Sequence, residues 1–251
     1  MEKKTSFAYK IIRFIVLLFF PNMKVVGEEK LPDGPYILAG NHSQMYGPLA
    51  CELRFPGRHY IWCISSMMVF KEVPDYAFGD FWSKKPVPAR WFFRIFSYLI
   101  APLAVCIFNN AYTIPVYKDK RIFETMELSV NALIDGAGVI VFPEDYDEHN
   151  NIVHDFQKGF VSLAKRYYAK TGKTVPFVPL YVCPGLKKLV IGDPVYYDPT
   201  APVAKEQERI CNILMDRISE LAYELPYHKV VPYPNIPKKD YPDNKRKEAI
   251  S

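Results

Sequence analysis

Two clusters of polar side chains stand where the sequence predicts that buried strands end. The apolar run 36–39 leads through the Gly40-Asn41 turn to His42. Open α/β sheets place their ligand crevices at the carboxyl ends of strands, so His42 is a candidate site residue. A histidine here can also cap or pack in the first turn of a following helix, and for an isolated histidine that simpler role is favoured.

The second cluster is the acidic segment 144–155, which follows the apolar run 138–142. Its members are Glu144, Asp145, Asp147, Glu148, His149, His154 and Asp155. The segment begins like a calcium loop, but Asn150 stands where glycine is required and Phe156 where the terminal glutamate is required. The histidine spacing also differs from that of a zinc-binding helix. We therefore predict a solvated polar loop and no metal site.

The elements around these clusters alternate as in an α/β fold. Strands are predicted at 25–27, 59–64, 112–117, 175–182 and 187–191, and helices at 48–53, 121–135, 159–170 and 202–225. Pro115 indicates an edge strand or a bulge. We predict a single α/β domain with a mixed, mostly parallel sheet flanked by helices.

Two apolar stretches depart from this alternation. Residues 9–20 are too short to span a bilayer, and Lys3, Lys4, Lys10 and Arg13 flank or interrupt them. This pattern favours an interfacial helix on an anionic leaflet over a buried N-terminal helix. Residues 65–110 mix aromatic side chains with basic ones, among them Lys84, Lys85, Arg90 and Arg94, and Pro102 and Arg94 make a clean membrane span unfavourable. This insertion is predicted to face a membrane or to line an acyl-chain tunnel, with a plain hydrophobic core as the alternative.

The composition is that of a globular protein. The chain has 251 residues, 49% hydrophobic and 24% charged, with a net charge of +5. This charge suits anionic lipid, phosphorylated substrates or acidic carrier proteins, and no nucleic-acid-binding motif accompanies it, so we predict no nucleic-acid partner. Five scattered cysteines without a CxxC pair are typical of the reduced thiols of a cytoplasmic protein.

Four short motifs in order resemble the glycerolipid acyltransferase family, whose best-known members are the 1-acyl-glycerol-3-phosphate acyltransferases. The motifs are Asn41-His42, residues 113–118, Phe142-Pro143-Glu144 and residues 178–180. The resemblance covers roughly residues 24–198. It implies that His42 and Glu144 are catalytic and that the substrate is bound by Asn41, Ser43, Lys118, Phe142, Pro143 and Asp145.

The chain departs from the family pattern at three positions. Gly47 stands where the family has the aspartate of a His–Asp dyad, Asp145 replaces a glycine, and Lys118 replaces a phosphate-binding arginine. A histidine that acts as a general base is oriented by a group that contacts its second ring nitrogen, and glycine has no side chain to make that contact. Glu144, Asp145 and Asp147 are the candidate substitutes, and a backbone carbonyl is the other possibility.

The resemblance implies acyl transfer from acyl-coenzyme A or acyl carrier protein to a lysophospholipid or glycerol-phosphate-like acceptor, with no further cofactor. We expect a peripheral protein on the cytoplasmic face of the membrane, in contact with membrane lipids. The predicted organisation is an interfacial helix (1–23), the α/β domain (24–225) and a Pro-rich basic tail (226–251) that ends, solvated and mobile, in Lys245-Arg246-Lys247. A catalytically weakened relative that binds acyl chains or lipid is the alternative, and a hydrolase or metal-dependent enzyme is a third class.

Overall fold

The computed structural model describes residues 6–83 and 85–246, so the predictions for Lys3, Lys4, Lys84 and Lys247 lie outside the described residues. Within these ranges the strands are β1 (Lys24–Val26), β2 (Ile37–Gly40), β3 (His59–Ile64), β4 (Thr113–Val116), β5 (Gly138–Val141), β6 (Glu144–Glu148), β7 (His154–Phe156), β8 (Pro176–Cys183), β9 (Lys188–Ile191) and β10 (Val195–Tyr196). The α-helices are α1 (Phe7–Phe19), α2 (Tyr46–Arg54), α3 (Val73–Ala77), α4 (Val87–Asn110), α5 (Ile122–Ile134), α6 (Ser162–Thr171) and α7 (Val203–Tyr223). The predicted α/β alternation is confirmed, with boundaries shifted by a few residues.

The chain forms two compact units. Of the described residues, the larger comprises 21–60 and 128–246, and the smaller comprises 6–20, 61–83 and 85–127. In the larger unit the strand order is β1-β9-β8-β2-β5, with β10 antiparallel to β8. The pairs β1–β9, β8–β2 and β2–β5 are parallel, and β8–β9 is antiparallel. The predicted mixed, mostly parallel sheet is therefore confirmed.

The continuous apolar runs of β2, β5 and β8 follow from this order. Every residue of these three strands is buried. Strands covered on both faces carry apolar side chains on both faces, which explains why these runs show no alternation of apolar and polar residues. The core of the larger unit thus lies around β2, the strand that leads into His42.

The prediction of a solvated polar loop after β5 is wrong. Strands β6 and β7 form an antiparallel hairpin, in which Glu144 pairs with Phe156 and Glu148 with His154. The side chain of Asn150 accepts hydrogen bonds from the backbone N–H groups of Ile152 and Val153 and so shapes the turn. Four of the five residues of β6 are exposed, and an exposed strand tolerates charged side chains. The loop was predicted because of these charges.

The smaller unit contains the predicted aromatic segment 65–110. Strands β3 and β4 pair in parallel with Pro115 opposite Cys63, and within the described part of this unit β3 is the neighbour of β4, which suits a residue without an N–H. Helices α3 and α4 pack around a small core, whose buried members are Met67, Val73, Ala77, Ala101 and Ala104. Much of the aromatic segment is therefore outside the core.

Helix α4 runs unbroken through Pro102 for 24 residues and leaves most of its apolar side chains exposed. Among the described residues it is the one helix long and apolar enough to cross a membrane, a criterion of length and composition alone. Its exposed apolar side chains are Val87, Trp91, Phe92, Ile95, Phe96, Tyr98, Leu99 and Leu103. Helix α1 likewise exposes Phe7, Ile11, Phe14, Ile15, Leu18 and Phe19, and Ser6 caps its N-terminus by accepting from the backbone N–H of Tyr9.

The tail is packed on the larger unit over residues 226–246, which we call the C-terminal strap. Of the predicted solvated basic end, Lys245 and Arg246 are described and are exposed, whereas His228, Val230 and Asn244 earlier in the tail are buried. The Asn244 amide donates to the carbonyls of Ala222 and Leu225 at the end of α7, and its oxygen accepts from the His228 N–H. These hydrogen bonds fasten both ends of the strap. They could not be predicted from the sequence, because a single polar side chain makes them and no local pattern marks it.

We predict that Asn244→Ala lowers the free energy of unfolding by roughly 2–3 kcal/mol, because the His228 N–H and the Leu225 carbonyl lose this partner and the Ala222 carbonyl loses one of its hydrogen bonds. Asn212→Ala, an exposed asparagine in α7, is the matched control and should change the stability little. Urea unfolding followed by circular dichroism measures both. Equal stability of the two variants would show that the strap is not held in this way.

Candidate active site

The site residues lie at one edge of the sheet of the larger unit. Parallel strands β2 and β5 are in register from Ile37 and Val139 to Ala39 and Val141, so their carboxyl ends coincide. Asn41 and His42 follow β2, and the segment Phe142-Pro143-Glu144 follows β5. The topology therefore brings together the first and third motifs found in the sequence.

Asn41 and Ser43 hold the loop in place. The Asn41 Oδ1 accepts from the N–H of Val182 at 2.7 Å, and its Nδ2 donates to the Val182 carbonyl at 3.2 Å. The hydroxyl of Ser43 donates to the carbonyl of Val231 at 3.1 Å, a residue of the C-terminal strap. Both side chains are buried and occupied by these contacts. Their role in substrate binding stays a prediction.

The backbone at Ser43 and Gln44 makes an unusual turn. Their φ angles are +49° and +55°, in the left-handed region that non-glycine residues seldom adopt. Two such residues in succession turn the chain back on itself, and the carbonyl oxygen of Gln44 contacts Nδ1 of His42. Backbone strain of this kind, of order 1–3 kcal/mol per residue, is characteristic of functional sites.

This contact fixes the tautomer of His42. A carbonyl oxygen can only accept a hydrogen bond, so Nδ1 carries the proton and Nε2 of the neutral ring carries the lone pair. Burial lowers the pKa of His42 below its ordinary value of 6.5, against the opposing effect of the Gln44 carbonyl, so the ring is neutral at pH 7. Nε2 is thus available as a base.

Gly47 cannot be replaced by the family aspartate in this backbone. A Cβ atom at this position would lie 2.6 Å from the carbonyl oxygen of His42 and 2.8 Å from Cε1 of Phe142. The N–H of Gly47 also donates to that carbonyl at 3.0 Å. The dyad aspartate is therefore excluded by the path of the loop, and of the orienting groups predicted from the sequence the backbone carbonyl is the one found.

None of the three candidate carboxylates is seen to orient the His42 ring. Glu144 accepts from the backbone N–H of His42 at 2.5 Å and from that of His154 at 2.9 Å. Asp145 accepts from the N–H of Tyr146, and both Asp145 and Asp147 lie on the exposed part of β6. The catalytic role predicted for Glu144 stays a prediction, whereas its place in the structure is that of a buried link between the His42 loop and the hairpin.

Burial raises the pKa of Glu144 from 4.5 to about 7, although the two N–H donors act in the opposite direction. Its side chain is 3% exposed. The carboxyl group thus titrates close to neutral pH, at a point where it joins two segments of the site.

Aromatic rings surround His42. Phe142 lies edge-on with a centroid separation of 5.4 Å, and Tyr233 of the strap does so at 5.6 Å. Tyr233 also contacts the rings of Tyr146 and His154. Sequence reasoning missed Tyr233, Tyr241 and Gln44. The signal that could have found the tyrosines is their placement in a Pro-rich segment that is also rich in aromatic residues.

Lys118 belongs to the smaller unit. It lines an open cavity of about 310 Å³, whose other polar lining residues are Ser65, Ser66, Glu72, Tyr76, Asp119 and Arg121. Arg121 forms an ion pair with Asp119, so its charge is partly neutralised. The predicted phosphate-binding role of Lys118 stays a prediction. Among the residues that the structure describes, no group of three or more His, Cys, Asp or Glu side chains could hold a metal ion.

Comparison with known proteins identifies the family. The family model described as Acyltransferase matches residues 22–183. This segment is more than half of the chain, and the protein belongs to the acyltransferase family, as the motifs indicated. Among solved structures, the 1-acyl-sn-glycerophosphate (LPA) acyltransferase PlsC from Thermotoga maritima is similar, with 18% sequence identity, a TM-score of 0.47, and coverage of 87% of this chain and 81% of that one. No curated protein matches the chain.

We predict that Gly47→Ala destabilises the protein by roughly 1–3 kcal/mol, because the added methyl group meets backbone and ring atoms that have little room to move. Gly34→Ala is the control, since a Cβ there has no atom within 4 Å. Urea unfolding compares the two variants. A stable Gly47→Asp variant with raised activity would contradict this description of the loop.

The raised pKa of Glu144 also predicts a pH dependence of stability. A carboxyl group with a higher pKa in the folded state binds more protons folded than unfolded, so stability falls as pH rises from 4.5 to about 7. The total loss is roughly 3 kcal/mol, and Glu144→Gln should abolish it. Glu148→Gln, at the exposed end of β6, is the control. Parallel stability curves for wild type and Glu144→Gln between about pH 4.5 and pH 8 would refute the shift.

Proposed function

We propose that the protein transfers a fatty acyl group from an acyl thioester, acyl-coenzyme A or acyl carrier protein, to a hydroxyl of a lysophospholipid or glycerol-phosphate-like acceptor. The observation that carries the proposal is the Nδ1 contact of His42 with the Gln44 carbonyl, which leaves Nε2 as the basic nitrogen. Membership of the acyltransferase family supports the type of reaction.

The chemistry assigned to His42 is general base catalysis followed by general acid catalysis. Nε2 takes the proton of the acceptor hydroxyl as its oxygen attacks the thioester carbonyl. The tetrahedral intermediate then collapses, the carbon–sulfur bond breaks, and the imidazolium returns the proton to the leaving thiolate. The ester, the free thiol and the neutral histidine are the products, so protons and electrons balance.

The Gln44 carbonyl is a weaker partner for the imidazolium than a carboxylate. It selects the tautomer and orients the ring, but it brings a dipole in place of a full negative charge. In serine proteases, loss of the corresponding aspartate costs roughly 10⁴ in turnover, largely because the tautomer becomes wrong. Since the correct tautomer is kept here, we expect slow but real turnover. The alternative is a weakened relative that binds acyl chains or lipid without efficient transfer. The absence of an aspartate at position 47 favours this alternative.

We further propose that the protein attaches peripherally to the cytoplasmic face of a membrane. The exposed apolar side chains of α1 and α4 support this, because apolar helix faces of this kind lie in the interfacial layer of a bilayer. Arg94 lies among them, next to the rings of Phe78 and Tyr98, and is paired with the carboxylate of Asp75. The five cysteines are free thiols, which fits a reducing compartment.

We predict that His42→Ala lowers acyl transfer by roughly 10²–10⁴-fold, the usual contribution of a general base. The assay measures transfer from radiolabelled acyl-coenzyme A, and separately from acyl carrier protein, into a panel of lysophospholipids in anionic vesicles. His149→Ala is the control, because that histidine pairs with Asp216 on the surface. Equal rates in wild type and His42→Ala would refute the catalytic assignment. Binding of lipid without transfer by wild type would favour the weakened relative.

A further inference from the structure

The C-terminal strap contacts the catalytic loop at three consecutive residues. The ring of Tyr233 lies edge-on against His42, the Val231 carbonyl accepts from the Ser43 hydroxyl at 3.1 Å, and the Tyr241 hydroxyl accepts from Nε2 of Gln44 at 3.0 Å. The strap lies outside the segment 22–183 that matches the family model. The loop that carries His42 is thus held by a part of the chain that the family model does not include.

The contact with Gln44 bears directly on the orientation of the His42 ring. Gln44 presents its backbone carbonyl to Nδ1 while holding a left-handed φ of +55°. A residue in this conformation tends to relax towards ordinary backbone angles unless its surroundings hold it. The Tyr241 hydroxyl accepts a hydrogen bond from the side chain of the same residue, and among the described residues it is the one side-chain partner of the Gln44 amide.

The strap itself is firmly anchored, so it can act as a support. Asn244 joins it to the end of α7 by hydrogen bonds. The N–H of Val230 donates to the carbonyl of Pro242, so the two parts of the strap that carry Val231 and Tyr241 are held side by side. The side chain of Asn151, in the β6–β7 turn, donates to the carbonyls of Asp243 and Lys245. These contacts fix the position of Tyr241 relative to Gln44.

We propose that Tyr241 is a positioning residue for His42: its hydroxyl fixes Gln44, and the Gln44 carbonyl in turn holds the proton on Nδ1. The strap is then part of the catalytic apparatus, because it holds the residue whose carbonyl replaces the orienting aspartate. The proposal rests on the proposed function of His42 as a general base. Tyr241 acts on His42 through Gln44, so it is a positioning residue and not a catalytic one.

The first test is kinetic and uses the full-length protein. Tyr241→Phe removes the acceptor, and Gln44→Met removes the donor with little change of size. Each should lower kcat roughly five-fold with KM unchanged, the effect of one lost hydrogen bond, and the double variant should be no slower than either single variant. Tyr227→Phe, the same change at an exposed tyrosine of the strap, is the matched control. Wild-type kcat in Tyr241→Phe, or multiplied losses in the double variant, would overturn the proposal.

The second test does not depend on activity. The Nδ1 proton of His42 is shielded by the Gln44 carbonyl, so its exchange with water, followed by proton NMR, should become roughly five-fold faster in Tyr241→Phe and in Gln44→Met but not in Tyr227→Phe. Unchanged exchange in Tyr241→Phe overturns the positioning role. If wild type transfers no acyl group to any acceptor, the proposed function fails, while the exchange rates still decide whether Tyr241 positions His42.

Discussion

The contact between the Gln44 carbonyl oxygen and Nδ1 of His42 determines what this histidine can do. Because the oxygen has no proton to give, Nδ1 must donate, and the second nitrogen is left with its lone pair. In the related family pattern a carboxylate five residues further along would make this contact. Here that position is Gly47, where the loop has no room for a Cβ atom. The replacement of a carboxylate by the Gln44 carbonyl as partner of Nδ1 therefore accounts for Gly47, for the left-handed backbone at Ser43 and Gln44, and for the absence of a His–Asp dyad.

The rest of the site keeps this loop in place against its own strain. Asn41 joins it to β8, Glu144 joins it to the β6–β7 hairpin, and the strap contacts it through Val231 and Tyr241. Each contact reaches the loop from a distant part of the sequence. Residues that are strained for function must be held by the surrounding structure, and here the sheet, the hairpin and the strap supply that support.

The sequence predicted the sheet well because its strands are strongly patterned. Buried runs such as 138–141 have no polar residue, and helix α7 shows clear amphipathic spacing, so local pattern and fold agree. The hairpin after β5 was missed because its exposed face is charged. The strap was missed because its proline-rich composition resembles a solvated tail, while its anchors are single side chains such as Asn244. The orienting carbonyl of Gln44 was among the sequence-based alternatives, but every residue has a carbonyl, and only the backbone angles at Ser43 and Gln44 determine which one reaches the ring.

The central claim is that His42 is held as the Nδ1-protonated tautomer without a carboxylate. Nitrogen-15 NMR of the protein labelled at histidine, with His42→Ala used to assign the signal, tests it directly, because protonated and unprotonated ring nitrogens differ clearly in chemical shift. We predict a single neutral tautomer at pH 7, with the proton on Nδ1 and the lone pair on Nε2. A signal from the Nε2-protonated tautomer, or an equal mixture of both, would contradict it.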